Sequence, residues 1–202
     1  MSDEITQRHL RKLRIRGAPT AIPGSAGFVG SYDAEETWRQ TGRALVLPLE
    51  RTFDAALLKA TFERLASVAQ AKNLTVPEAT LFALKGDPTQ DPPHKWEYEA
   101  VLPIQGATKA DPESDVAISR IQGGMHIFAL TARGLPDLAN LYVYLFGKFM
   151  PSKKQELLRP YLLHRVLENL EGHDDSKLVI GVYVPAGLSI RPVSGSGEGV
   201  EA

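Results

Sequence analysis

Trp96 and Tyr98 stand two residues apart in "KWEYEAVLPI", Lys95–Ile104, interleaved with Glu97 and Glu99. Read as a strand, the segment sends Trp96, Tyr98, Ala100 and Leu102 to one face and the two carboxylates to the other. An indole and a phenol on one face can stack on a flat ligand and attract a cation over their rings, at ~0.5–2 kcal/mol per contact, while a carboxylate balances charge where water is excluded. The same face can equally pack as core against a helix. The stretch before it, "GDPTQDPPH" from Gly86 to His94, is acidic, turn-rich and pinned by prolines.

The remaining candidates for chemistry are histidines. Cysteine is absent, which excludes disulfides, thiolate metal sites and cysteine nucleophiles. None of the five histidines pairs with another at the i, i+4 spacing that puts two imidazoles on one helix face, so no metal site is expected. His126, in "GMHIFALTARG", shares a strand face with Phe128 and Leu130, which implies burial against helices. His164 lies in the apolar run "RPYLLHRVLEN"; an imidazole there can act as acid or base, bond a polar ligand, or be a satisfied core residue. No nucleophile elbow, phosphate loop or dinucleotide fingerprint is present, and "GSAGFVG" at Gly24–Gly30 has glycines without a flanking strand and helix. No catalytic residue and no cofactor are assigned.

The elements that must position these residues form two similar series along 202 residues. "ALVLPLE" from Ala44 reads as a strand, Thr52 stands at an N-cap position, and Phe53, Ala56, Leu57, Ala60, Leu65, Val68 and Ala69 give a helix one apolar face as far as Asn73. "ATLFALKG" and "KWEYEAVLPI" are strands. The order then repeats: a strand over Gly124–Gly134, a helix from Pro136 to about Met150 with Leu138, Leu141, Tyr142, Leu145, Phe146 and Phe149 on its apolar side, the run "LLRPYLLHRVLEN", ambiguous between helix and strand, and a strand from Lys177. The fold class is α+β: two βαββ modules with pseudo-twofold symmetry, about 44–104 and 116–186, forming one antiparallel sheet with helices on one face. Either the other face or the groove between modules is left open for a ligand. Residues 1–43 are an N-terminal extension in which "AEETWRQTG" could form helical turns, and 189–202 have the composition of a disordered tail.

Net charge is −1, too small a field to gather nucleic acid or an anionic membrane. Only Met1–Arg16 is basic, with Arg8, Arg11, Lys12, Arg14 and Arg16 against Asp3 and Glu4, as a frayed terminus or as an arm that docks on a partner. The start is too polar for a secretory signal and no apolar run approaches ~18 residues, so a soluble, cytoplasmic protein is expected.

The ordered pieces "GDPTQDPPHKWEYEAVLPI", "ISRIQGGMHIFALTARG", "LFGKFMP", "LLRPYLLHRVLEN" and "VIGVYVPAG" resemble the GyrI-like small-molecule-binding family, which includes effector-binding domains of AraC- and MerR-type regulators. The resemblance covers about Leu45 to Leu188. It implies a ligand pocket between two modules, taking amphipathic or cationic aromatic compounds; family members include regulators, stand-alone proteins, a gyrase inhibitor and hydrolases of strained cyclopropane compounds. By position it implies ligand-binding roles for Phe53, where the family often has Tyr, for Phe149, where the family has Trp, and for one of Tyr142 and Tyr144. At the family's acidic position the chain has His164, with Val166 where a Tyr is usual, which speaks against both cation selectivity through that residue and hydrolysis. With Trp96, Tyr98 and His126 these complete the candidate site. No helix-turn-helix segment precedes the domain, so direct nucleic-acid binding is not expected. The reading is a stand-alone binder of an aromatic or amphipathic small molecule; the alternatives are a hydrolase using the same groove and a protein-interaction module such as a gyrase inhibitor.

Overall fold

A computed structural model describes residues 4, 7, 8, 32–50, 52–91, 95–109, 111, 114–131 and 133–189. Most of the basic N-terminal segment, Pro92, Pro93, His94 and the tail from 190 lie outside the described residues. The strands are β1 (Ala34–Arg39), β2 (Gly42–Leu49), β3 (Leu81–Lys85), β4 (Glu97–Ile104), β5 (Ala117–Ile121), β6 (Gly124–Thr131), β7 (Gln155–Leu157), β8 (Tyr161–Glu168) and β9 (Val179–Leu188). Helix α1 spans Ala55–Ala71 and α2 spans Leu138–Tyr144. The ambiguous run is strand, β8, because it lies between two other strands, with Phe82 facing His164 on one side and His164 facing Val182 on the other.

The sheet is antiparallel, in the order β1-β6-β9-β8-β3-β4-β2-β5, with β7 on the far end of β9. This order is palindromic: first, third and second strand of one module, then second, third and first of the other. The modules keep a constant spacing of 82 residues, from Gly42 to Gly124 and from Glu97 to Val179, and Phe82 pairs with its own counterpart His164. The pseudo-twofold axis therefore passes between β3 and β8.

One expectation fails at the N-terminal side. Ala34–Arg39, expected as helical turns inside the extension, is strand β1, the counterpart of β5. Its Thr37 and Arg39 turn inward and Glu36 and Trp38 outward, the alternation of a half-buried strand. It pairs not with β2, only two residues on, but with β6; β5 likewise pairs with β2. The register runs unbroken through both links: Arg39 faces Gly124 and Gly42 faces Ile121. The two ends of the strand order are thus joined through the chain, and the sheet closes on itself. Gly123 sits at this crossing, where a Cβ would stand 2.4 Å from the Thr41 nitrogen.

Closure fills both faces. On the helix side Leu45, Leu58, Phe82, Leu102, Ile127, Leu141 and Val182 form one core; on the other, Ala44, Val46, Leu81, Val101, Phe128 and Tyr183 form a second. Each fully buried Leu or Phe contributes roughly 1.5–3 kcal/mol. The helix-free face is therefore packed.

The N-cap of α1 is Asp54 rather than Thr52: its Oδ1 accepts the Leu57 N–H at 2.8 Å, and Asp175 from the other module accepts the Ala55 N–H at 2.6 Å. That phase buries Ala55, Leu58, Thr61, Leu65 and Ala69 and leaves Ala56 and Ala60 exposed, against the expected face. The second helix starts at Gly134, whose φ of 69° and whose absent Cβ, which would lie 1.5 Å from the Asp175 carbonyl oxygen, both require glycine. A 3-10 turn, Leu135–Asp137, leads into α2, and a π-helical turn follows at Leu145–Phe149. The wide turn moves the next buried residue five places on, from Leu145 to Met150, and leaves Phe146 and Phe149 only half-buried.

Candidate functional site

The seam between β3 and β8 carries a continuous group of rings. His164 and Phe82 are stacked across it, centroids 4.5 Å apart and planes 11° from parallel. Phe53 meets Phe82 and Tyr98 edge-on at 5.4 and 4.9 Å. On the other side Tyr142 meets His164, Trp96 and Phe146 at 6.0, 5.8 and 6.3 Å. Five of the seven residues singled out in the sequence, Phe53, Trp96, Tyr98, Tyr142 and His164, are thereby brought together.

The other two are elsewhere. Phe149 lies against Tyr144 at 6.3 Å, and Tyr144 against Tyr32, in a separate aromatic group. The π turn separates Phe149 from Tyr142, so of the two tyrosines it is Tyr142 that faces the seam. His126 does share its face with Phe128 and Leu130, but that is the face without helices. It is buried there beside Thr37, with its Nδ1–H donating to the Gly124 carbonyl at 3.0 Å. Burial, reinforced by the nearby charges of Arg39 and Arg159, lowers its pKa to about 4.

His164 is fully buried and both of its nitrogens are engaged. Nδ1–H donates to the Phe82 carbonyl at 3.2 Å, which leaves Nε2 to accept the Tyr142 hydroxyl proton at 2.6 Å. Burial drives both groups to their neutral forms: the imidazole pKa falls to about 3 and the Tyr142 phenol rises well above its usual value. The position where the family carries an acid is here a neutral post that fixes the ring of Tyr142.

Outside that post is a cavity of about 430 Å³ between the β3–β4 loop of the first module and the second module's helix. Trp96, Ala139, Tyr142, Val143, Phe146 and Gly147 form its apolar wall, and Pro88, Thr89 and Asp91 its rim. The loop is held by its own bonds: Trp96 Nε1–H donates to the Asp91 carbonyl at 2.9 Å, and the Asp91 carboxylate accepts the Asp87 N–H at 3.1 Å. The acidic loop thus orients the indole and supplies a carboxylate beside it. Glu97 and Glu99 do not fill that role, since they lie on the opposite side of the strand; Glu99 accepts the Tyr161 hydroxyl at 2.7 Å and pairs with Lys85. Sequence reasoning missed Phe82, Phe146 and Asp91. Phe82 lies in a strand buried on both faces, where alternation gives no direction, and Phe146, one helical turn beyond Tyr142, was read as part of the helix's apolar side. Among the described residues no three His, Asp or Glu side chains could hold a metal ion, and no helix is long and apolar enough to cross a membrane.

No family model and no curated protein matches the sequence. Solved structures match the fold. The C-terminal domain of EcmrR gives a TM-score of 0.63 at 13% identity, over 79% of this chain and 99% of that one. EcmrR in its complex with DNA gives 0.62 at 11% identity over 91% of this chain and 63% of that longer one. An uncharacterized conserved protein from Listeria innocua gives 0.54 at 9% identity, over 88% and 98%. The class defined here is an α+β domain of two strand-exchanged repeats around an antiparallel sheet. The particular fold is the GyrI-like fold of the EcmrR C-terminal domain, in agreement with the resemblance carried by the sequence motifs.

Proposed function

We propose that this protein is a cytoplasmic GyrI-like sensor or sequestering protein that holds a flat, amphipathic aromatic small molecule in the cavity between the β3–β4 loop and the second helix. The observation that carries this reading is the cavity's wall: Trp96, Tyr142 and Phe146 around about 430 Å³, with Asp91 at the rim. That volume is within the range of small-molecule pockets, and the mix of apolar wall and few polar groups is what such pockets use for affinity and orientation. Likeness to the C-terminal domain of a DNA-binding protein supports the sensor role at the level of fold. Support for binding rather than hydrolysis comes from His164, which is neutral, buried and already bonded through both nitrogens.

The test is thermal unfolding against hydrophobic cations, neutral aromatics and organic acids. A compound at a hundred times its Kd adds ~2.7 kcal/mol to stability. Trp96→Ala is expected to weaken binding about tenfold, and Asp91→Asn to weaken only the cations. Absence of stabilisation by every class, or an unchanged Kd in Trp96→Ala, overturns the reading.

A further inference from the structure

A second cavity, of about 570 Å³, lies beside the β2–β5 pair, away from the β3–β8 seam; Thr41, Gly42, Arg43, Ile118, Ser119 and Arg120 line it. Arg43 and Arg120 are direct cross-strand partners, so both guanidinium groups leave the sheet on one face and repel each other. Arg43 is partly occupied, donating to the carbonyls of Gly106 at 3.3 Å and Thr108 at 2.9 Å. The Arg120 guanidinium has no hydrogen bond or ion pair among the described residues, and neither does the Ser119 hydroxyl. Thr41 accepts the Gly123 N–H at 2.9 Å and keeps its own hydroxyl proton to donate. None of the six lining residues is acidic.

The fold does not require this arrangement. The pseudo-twofold equivalents of Arg43 and Arg120 are Met125 and Trp38, which also face each other directly, and there the same backbone carries a thioether and an exposed indole. Two facing arginines are therefore a property of this end of the sheet alone. In a chain of net charge −1 they form a local wall of donors with no carboxylate among the lining residues.

We propose that this second cavity binds a small phosphate-bearing anion, bridged between Arg43 and Arg120. A tetrahedral phosphate has enough oxygens to receive two planar guanidinium forks at once, and its charge removes their mutual repulsion. The site is independent of the aromatic cavity.

The probe is inorganic pyrophosphate, titrated into the full chain by calorimetry, with sodium chloride and citrate at matched ionic strength as controls. Saturable one-to-one binding is expected, at least tenfold weaker in Arg120→Met. Because the Arg120 guanidinium makes no hydrogen bond or ion pair among the described residues, this variant is expected to retain the fold, with a ligand-free thermal midpoint equal to or above that of the parent as the repulsion is lifted. Pyrophosphate is expected to raise the midpoint of the parent and not of Arg120→Met. The proposal is overturned if chloride at equal ionic strength stabilises as much as pyrophosphate, if citrate binds as tightly, or if Arg120→Met leaves the affinity unchanged.

Discussion

The two repeats share a strand order and a constant spacing of 82 residues, yet put different chemistry on equivalent positions. At the axis, Phe82 of the first repeat faces His164 of the second. The rings stack as a symmetric pair would, but only the imidazole can accept a proton from Tyr142, so the seam is polar on one side. The first helix is regular throughout, whereas the second passes through 3-10, α and π turns, and Phe146 and Gly147 of the π turn line the aromatic cavity. At the outer ends of the sheet, Arg43 and Arg120 answer to Met125 and Trp38. Backbone symmetry thus fixes where side chains meet, and departures from it coincide with the two cavities.

The largest break in the comparison is at the start of the helices. Gly134 corresponds to Thr52, and only the glycine is pressed against the Asp175 carbonyl with a positive φ. Gly134→Ala is expected to lower stability by on the order of 3–5 kcal/mol in urea denaturation, while Thr52→Gly costs about 1 kcal/mol or less. A loss below about 1 kcal/mol for Gly134→Ala would show that the Asp174–Ser176 turn yields freely.

The seam comes next. Tyr142→Phe strands the buried Nε2 of His164 and should cost about 1–3 kcal/mol. His164→Phe makes the seam match the first repeat and strands the Tyr142 hydroxyl. The double variant should cost less than the two singles together, and strict additivity in the double-mutant cycle would mean that the bond contributes nothing.

The contrast also reaches pH dependence. Burial holds His164 at about 3 and His126 at about 4 in the folded chain, below the ordinary 6.5 of an unfolded histidine. Unfolding therefore takes up protons in acid: the stability these residues confer is complete above pH 6.5 and is lost as the pH falls towards 4 and then 3. Each contributes a slope of at most roughly 1.4 kcal/mol per pH unit, so His164→Phe should flatten the acid limb of the stability curve. An unchanged limb would locate the proton uptake elsewhere.

The helices and the strands flanking them were legible because their apolar periods are long and regular. β1 was not, because "AEETWRQTG" is short and polar on one face and its partner β6 is far away in the chain. Comparison at the 82-residue spacing with the strand at Ala117–Ile121 is the signal that would have found it. Trp96, Tyr98, Phe53 and Tyr142 were legible as rings on identifiable faces. The role of His164 was not, since both of its bonds come from elements distant in sequence, Phe82 on β3 and Tyr142 on the second helix. Asp91 was visible only as part of an acidic loop; its place beside Trp96 depends on the turn that folds the loop back.

The exchange of leading strands also has a consequence for biosynthesis. β1 and β2 are made together, but β2 lacks one neighbour until Ala117–Ile121 has emerged, and β1 lacks its partner until Gly124–Thr131 has followed. The first half cannot complete its sheet alone and must keep open edges until these strands have emerged. Assembly depends on long-range pairings between the halves, which are slow to find.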